Sequence, residues 1–270
     1  MAPTPLVDDI WILDVWSTAR TFPASRRRLL LSKVDPSLSL HELGRLSLGR
    51  CNQLVLRARQ AVFGSRLDGE TACPDCGERL DLEIEFQGLL DGPASDRGDT
   101  EPPAHSTESI GTVRVGGLEV RFRAPSVSDF ERASESADPE SAAQTLLSSC
   151  VIGARRLPAG PGPDDLAVDP SPGAGLSLDA LPEEVVDALD TELHRHDPYG
   201  DLRVTTVCPA CGHGFDVGLD PVTVFWEEIE GHARLLLFDV HRLASAYGWS
   251  EQDCLRLDPV RRACYLELIG

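Results

Sequence analysis

The sequence predicts an α+β fold in which β-hairpins are flanked by N-terminal, central and C-terminal helical segments. Three observations predict it. The phrase Cys73-Pro74-Asp75-Cys76-Gly77 returns as Cys208-Pro209-Ala210-Cys211-Gly212. Runs with period-two alternation adjoin these phrases, and such runs are half-buried strands. Stretches with three- and four-residue apolar spacing and clear caps fill much of the rest, and these are amphipathic helices. Two Cys-x-x-Cys knuckles supply four thiolates, the number a tetrahedral structural zinc takes. The predicted unit is therefore a zinc ribbon assembled from two distant knuckles, with Cys73, Cys76, Cys208 and Cys211 as ligands of one Zn2+ per chain. Two metals shared across a dimer would use the same four residues.

Along the chain, residues 8–63 read as largely helical. Ser25 is a candidate cap for a helix through Leu31, and Asp35-Pro36-Ser37 breaks it. Ser39 to Leu43 starts a short helix. Leu48 to Phe63 is a longer one closed by Gly64, with Leu54, Ala58, Ala61 and Val62 on its expected apolar face. Leu80 to Phe86 alternates strictly and is a strand. Residues 88–109 have the composition of a mobile loop. Thr112–Val115 and Leu118–Arg123 flank Gly116-Gly117, a hairpin signal that Pro125 ends. Ser128 and Asp138 each open a helix, the second running to Val151. Five prolines and four glycines within 157–176 read as a flexible linker. A helix starts at Leu181-Pro182 and ends near His196-Asp197-Pro198. Leu202–Val207 and Phe215–Leu219 are strands around the second knuckle. Three helices close the chain: Val222 to Tyr247, stopped by Gly248; Ser250 to Leu257, with Ser250 and Asp253 spaced as a capping box; and Pro259 to Leu268.

These elements group into five segments. They are an N-terminal helical segment (1–66), the first knuckle with β-hairpins (67–125), central helices including the linker (126–200), the second knuckle completing the ribbon (201–221), and a C-terminal helical subdomain (222–270).

Composition bounds the function. The chain has 270 residues, 41% of them apolar, and no apolar run approaches the roughly 20 residues of a membrane span. Met1-Ala2-Pro3-Thr4-Pro5 lacks the basic and apolar regions of a signal peptide, so a soluble, cytoplasmic protein is expected. A net charge of −19 repels phosphate backbones and suits docking to basic protein surfaces. That weighs against the alternative reading, a zinc-ribbon nucleic-acid or transcription accessory protein. Lys33 is the only lysine, which removes Walker-type and Schiff-base chemistry.

No catalytic constellation emerges. A thioredoxin-like dithiol should open a helix, whereas a strand follows each knuckle here. His41-Glu42 resembles the start of a zincin motif, but Arg45 stands where the second histidine is required. His194-Arg195-His196 suits a helix C-terminus, where cations are favoured. His213 follows the second knuckle and is expected at the surface. Cys51, Cys150, Cys254 and Cys264 are scattered singles and read as small buried hydrophobes.

Several phrases together resemble one family. They are Leu46-Ser47-Leu48-Gly49-Arg50, Phe63-Gly64-Ser65-Arg66-Leu67, both knuckles, and His241-Arg242-Leu243-Ala244 through Tyr247-Gly248-Trp249-Ser250-Glu251. The family is similar to the baseplate hub assembly chaperone of T-even-type phages. It is encoded with extracellular contractile injection systems, the phage-tail-like particles of bacteria. The resemblance covers about residues 8–269. It implies a non-catalytic role in assembling or forming a baseplate or hub, with baseplate, hub or spike proteins as partners and neither nucleic acid nor membrane.

Overall fold

In a computed structural model, residues 8–35, 37–85, 110–157 and 182–270 are described. The predicted loop at 88–109 and all of the predicted linker except Leu157 lie outside them, as does the predicted helix start at Leu181. In chain order the helices are α1 (Asp9–Ala19), α2 (Leu31–Val34), α3 (Leu40–Arg45), α4 (Leu48–Phe63), α5 (Val127–Ala133), α6 (Pro139–Cys150), α7 (Glu183–His196), α8 (Pro221–Tyr247), α9 (Glu251–Leu255) and α10 (Pro259–Leu268). The strands are β1 (Arg66–Ala72), β2 (Arg79–Glu85), β3 (Ile110–Val115), β4 (Leu118–Arg123), β5 (Val151–Arg156), β6 (Leu202–Val207) and β7 (Gly214–Leu219). The fold is thus mixed helix and sheet, as the α+β reading expects. The chain divides into two units: Met1–Ser37 with Pro221–Gly270, and Leu38–Asp220. The predicted N-terminal segment 1–66 is shared between them.

In the first unit, α8 is the organising element. Phe225, Trp226, Ile229, Ala233, Leu236, Val240 and Leu243 recur at three- and four-residue steps and are buried. Helix α1 packs on α8 and buries Ile12, Val15 and Ala19. Its cap is Asp8, whose carboxylate accepts from the Trp11 N–H at 2.8 Å. The helix expected from Ser25 is instead a 3₁₀ segment, Ala24–Leu30, leading into α2. Pro23 occupies its cap position, which leaves the first turn without a side-chain acceptor. The segment is held from outside, with the Arg27 guanidinium 4.7 Å from the Trp226 ring. Gly248, at φ +70°, ends α8, and the predicted Ser250–Asp253 capping box opens α9.

In the second unit, β3, β4 and β5 form one antiparallel sheet with α7 across it. Val113, Val120, Phe122, Val185 and Leu189 make the core between them. Gly116 and Gly117, both with positive φ, form the predicted two-glycine hairpin turn. Gly111 pairs with Phe122, whose ring occupies the space a Cβ at Gly111 would need.

Two further expectations are corrected here, and one strand is added. Helix α6 stops at Cys150 rather than running through Val151, which begins β5. The apolar spacing of Leu146, Leu147 and Val151 fits a helix, but pairing with β4 takes over at Val151. Strand β1 carries no strand signal in its sequence, because Gly, Asp and Glu are depleted in strands; its full pairing with β2 sets its conformation. The buried face of α4 carries Cys51, Asn52, Val55, Leu56, Ala58 and Arg59, while Ala61 is exposed. Polar groups join that face because backbone acceptors meet them: the Asn52 amide donates to the Tyr199 carbonyl and Arg59 to that of Gly64.

Candidate metal centre

The two knuckles sit at the tips of two hairpins. β1 enters the first and β2 leaves it; β6 enters the second and β7 leaves it. The hairpins belong to separate two-stranded sheets. Their turns are built alike. The Cys73 N–H donates to the Glu78 carbonyl at 2.8 Å, and the Gly77 N–H to the Cys73 carbonyl at 2.9 Å. In the second knuckle, Cys208 donates to His213 and Gly212 to Cys208, each at 2.9 Å. Gly77 and Gly212 take φ +76° and +75°, which explains the glycine after each second cysteine.

All four sequence-predicted site residues come together. The sulfurs of Cys73, Cys76, Cys208 and Cys211 lie within 4.8 Å of one another. Cys73 Sγ is 3.7 Å from Cys211 Sγ, and Cys76 Sγ is 3.6 Å from Cys208 Sγ. A tetrahedron with metal–sulfur bonds of ~2.3 Å has edges of about 3.8 Å, close to these separations. A disulfide would bring two sulfurs to about 2.05 Å, and all four cysteines are free. This is a possible metal site, and its soft donors select zinc or another thiophilic ion over calcium or magnesium. Four protein ligands fill a tetrahedral shell and leave no position for a substrate.

Burial and backbone dipoles shape the cluster. Cys73 and Cys208 are buried and Cys76 and Cys211 exposed. Hydrogen bonds from the Cys211 and Ala210 amides, against some desolvation, bring the Cys208 thiol down to about 7. At Cys211 the His213 amide acts in the same direction. Desolvation and hydrogen bonds with the other three thiols outweigh it and push that thiol up to about 12. The Glu78 amide likewise faces Cys76, whose thiol is raised by desolvation and its sulfur neighbours. These N–H groups stabilise anionic sulfur, as structural metal-thiolate knuckles require.

Residues beyond the ligand set complete the site. Leu80 and Phe215 pack against the buried cysteines, and the His213 ring stacks on Phe215 at 6.1 Å. Both walls lie four residues after the second cysteine of their knuckle, so the repeat in the sequence extends to the apolar wall. The other sequence candidates are placed elsewhere. His213 is exposed, as expected. Glu42 caps α3 through the Ser39 N–H at 2.8 Å. His196 meets the Phe122 ring edge-on at the end of α7. Cys51, Cys150 and Cys254 are buried as expected, but Cys264 is exposed because its side of α10 faces outward.

Among the described residues, no helix is long and apolar enough to cross a membrane. Comparison with protein-family models, curated proteins and solved structures finds no match to this chain.

Proposed function

We propose that this chain is a non-catalytic, zinc-stapled protein that assists assembly of, or forms part of, the baseplate or hub of a phage-tail-like contractile injection system. The observation that carries the structural role is the closed four-thiol cluster, with sulfur separations of 3.6 and 3.7 Å. One Zn2+ held by Cys73, Cys76, Cys208 and Cys211 joins two hairpins, with Cys76 and Cys208 132 positions apart in sequence, and offers no open coordination position. The injection-system assignment is supported by the sequence resemblance, above all the knuckle pair together with Tyr247-Gly248-Trp249-Ser250-Glu251. Charge supports a protein partner over nucleic acid: of 44 acidic and 25 basic side chains, 32 and 15 fall within residues 38–220. Nothing in the arrangement requires an enzyme.

The test is co-purification from the native gene cluster with zinc measured in the same sample. One zinc per chain with baseplate, hub or spike proteins is the expected result. Deleting the gene should abolish normal contractile particles, and intact particles without it would end this reading. Nucleic acid in the eluate would favour a zinc-ribbon nucleic-acid or transcription accessory protein instead.

A further inference from the structure

The three-stranded sheet inverts the charge of the unit it belongs to. Acidic side chains outnumber basic ones 32 to 15 in residues 38–220. Strands β3, β4 and β5 reverse this, with Arg114, Arg121, Arg123, Arg155 and Arg156 against one acid, Glu119. Register sorts these residues between the two faces, because directly paired side chains lie on the same side of a sheet. Val113 pairs with Val120, and Val120 with Ala154, on the face that packs with α7. On the other face Arg114 pairs with Glu119 and Glu119 with Arg155. One pleat further along that face, Thr112 pairs with Arg121 and Arg121 with Gly153.

Glu119 is buried, whereas the Arg114 and Arg155 side chains that bond it are 67% and 65% exposed. Each reaches it through Nε, so one carboxylate lies between two guanidiniums and the trio keeps a net positive charge. Arg121 is exposed and makes neither a hydrogen bond nor an ion pair with another described residue. A Cβ at Gly153 would meet nothing within 4 Å, so the surface beside Arg121 is open. Arg123 is the exception, neutralised by Asp129 at 2.6 Å.

We propose that this outer face docks an acidic, extended segment of a partner protein, with carboxylates two residues apart received by Arg121 and by the Arg114–Arg155 pair. In an extended segment such carboxylates are about 6.6 Å apart on one side. Arg121 and the Glu119 that centres the arginine pair are likewise two residues apart on β4, so the positive positions share that spacing. Charge selects an acidic ligand, and extent selects a short protein segment. Three strands about 4.8 Å apart and six residues long make a face of roughly 10 by 20 Å. Screening confines the field of these arginines to about 8 Å at physiological salt. A short acidic strand fits within that reach. A nucleic-acid backbone would run past it, over a unit with more than twice as many acids as bases, and be repelled. The ligand is read from this face alone, so it stands or falls apart from the injection-system reading and the thiol cluster.

The experiment is fluorescence anisotropy of the full-length, zinc-loaded protein with a labelled peptide of about ten residues, glutamate at alternate positions. Saturable binding with Kd below about 1 mM is expected, weakening as salt rises. Arg121→Glu should weaken it at least about tenfold at an unchanged melting temperature, and Arg121→Gln should act in the same direction. Arg203→Glu makes the same change of net charge on β6 and should leave binding within about twofold. The same peptide with glutamine in place of glutamate should not bind. No saturation by about 1 mM overturns the proposal. So does equal loss in the Arg121→Glu and Arg203→Glu variants, or equal binding of the glutamine peptide. Tighter binding of a single-stranded DNA oligomer of equal charge would overturn it in favour of nucleic acid.

Discussion

The backbone N–H of Gly49 donates to Asp197 Oδ2 at 2.9 Å, joining residues 148 positions apart. Gly49 lies in the first turn of α4, where N–H groups have no partner within the helix. Asp197 follows the last turn of α7 and supplies the acceptor. Burial pushes its carboxyl above the ordinary range, opposed by hydrogen bonds from the Gly49 amide and the Ser47 hydroxyl. A Cβ on Gly49 would lie 1.9 Å from Asp197 Oδ1.

That contact inverts a general expectation. Gly→Ala inside a helix normally stabilises by about 1 kcal/mol. Gly49→Ala should instead destabilise by about 2 kcal/mol or more, because the half-buried carboxylate must move. Denaturant melts of Gly49→Ala and of Gly231→Ala, where a Cβ would meet nothing within 4 Å, make the comparison, with opposite signs expected. A stabilised Gly49→Ala would show that the Asp197 cap is dispensable.

The thiol cluster predicts a second contrast. Cys76→Ser and Cys211→Ser should each lose the metal and destabilise by more than about 3 kcal/mol, since structural zinc binding contributes directly to folding free energy. Both residues are exposed, so lost packing does not account for such a cost. Cys264→Ala, exposed and far from the knuckles in sequence, should stay within about 0.5 kcal/mol of the parent. A chelator should lower the melting temperature of the parent and leave that of Cys76→Ser unchanged. Equal melting temperatures for parent and Cys76→Ser would remove the staple.

How far was this architecture legible in the sequence? The ligand set was legible because its determinants are local. Each Cys-Pro-x-Cys-Gly phrase specifies its own turn, with the glycine at positive φ, and two such turns supply one donor set. Helix ends marked by Ser39, Gly64, Ser250 and Gly248 were legible for the same reason. The rest depends on contacts that a segment's own apolar and polar pattern does not encode. β1 is a strand because β2 lies beside it, and β5 because β4 does. Asn52 and Arg59 are buried because backbone carbonyls await them. The metal site's apolar walls, Leu80 and Phe215, become meaningful only once the two knuckles meet.

Glu119 on β4 bridges Arg114 of β3 and Arg155 of β5. Arg155 Nε donates to Oε1 at 2.6 Å and Arg114 Nε to Oε2 at 2.7 Å. These charge-assisted bonds hold the carboxyl at about 2, below its ordinary 4.5. Because the folded value is depressed, the contribution is fully present above about 4.5 and lost as pH falls toward about 2. Glu119→Gln should therefore be less stable than the parent at neutral pH, with the difference shrinking below about pH 4.5. Thermal melts between pH 2 and 7 read it, and a difference independent of pH would refute the role.

In the first unit, Asp9 on α1 meets Arg262 on α10, with Nη1 to Oδ2 at 2.6 Å. Asp239 of α8 lies on the other side of the guanidinium at 3.7 Å. The Arg262 side chain is 8% exposed and that of Asp9 18%, so neither charge is freely hydrated. Removing one partner of such a pair strands the other in a poorly solvated site, at a cost of about 3 kcal/mol or more. Replacing both with apolar groups removes the stranded charge as well as the bond. Asp9→Leu should therefore destabilise the unit strongly and Asp9→Leu with Arg262→Met much less than the sum of the single changes. Asp239 would then lose a cation, so the double variant should stay below the parent. A double-mutant cycle from denaturant melts measures the coupling, and additive single changes would mean that the pair contributes nothing to joining α1 and α10.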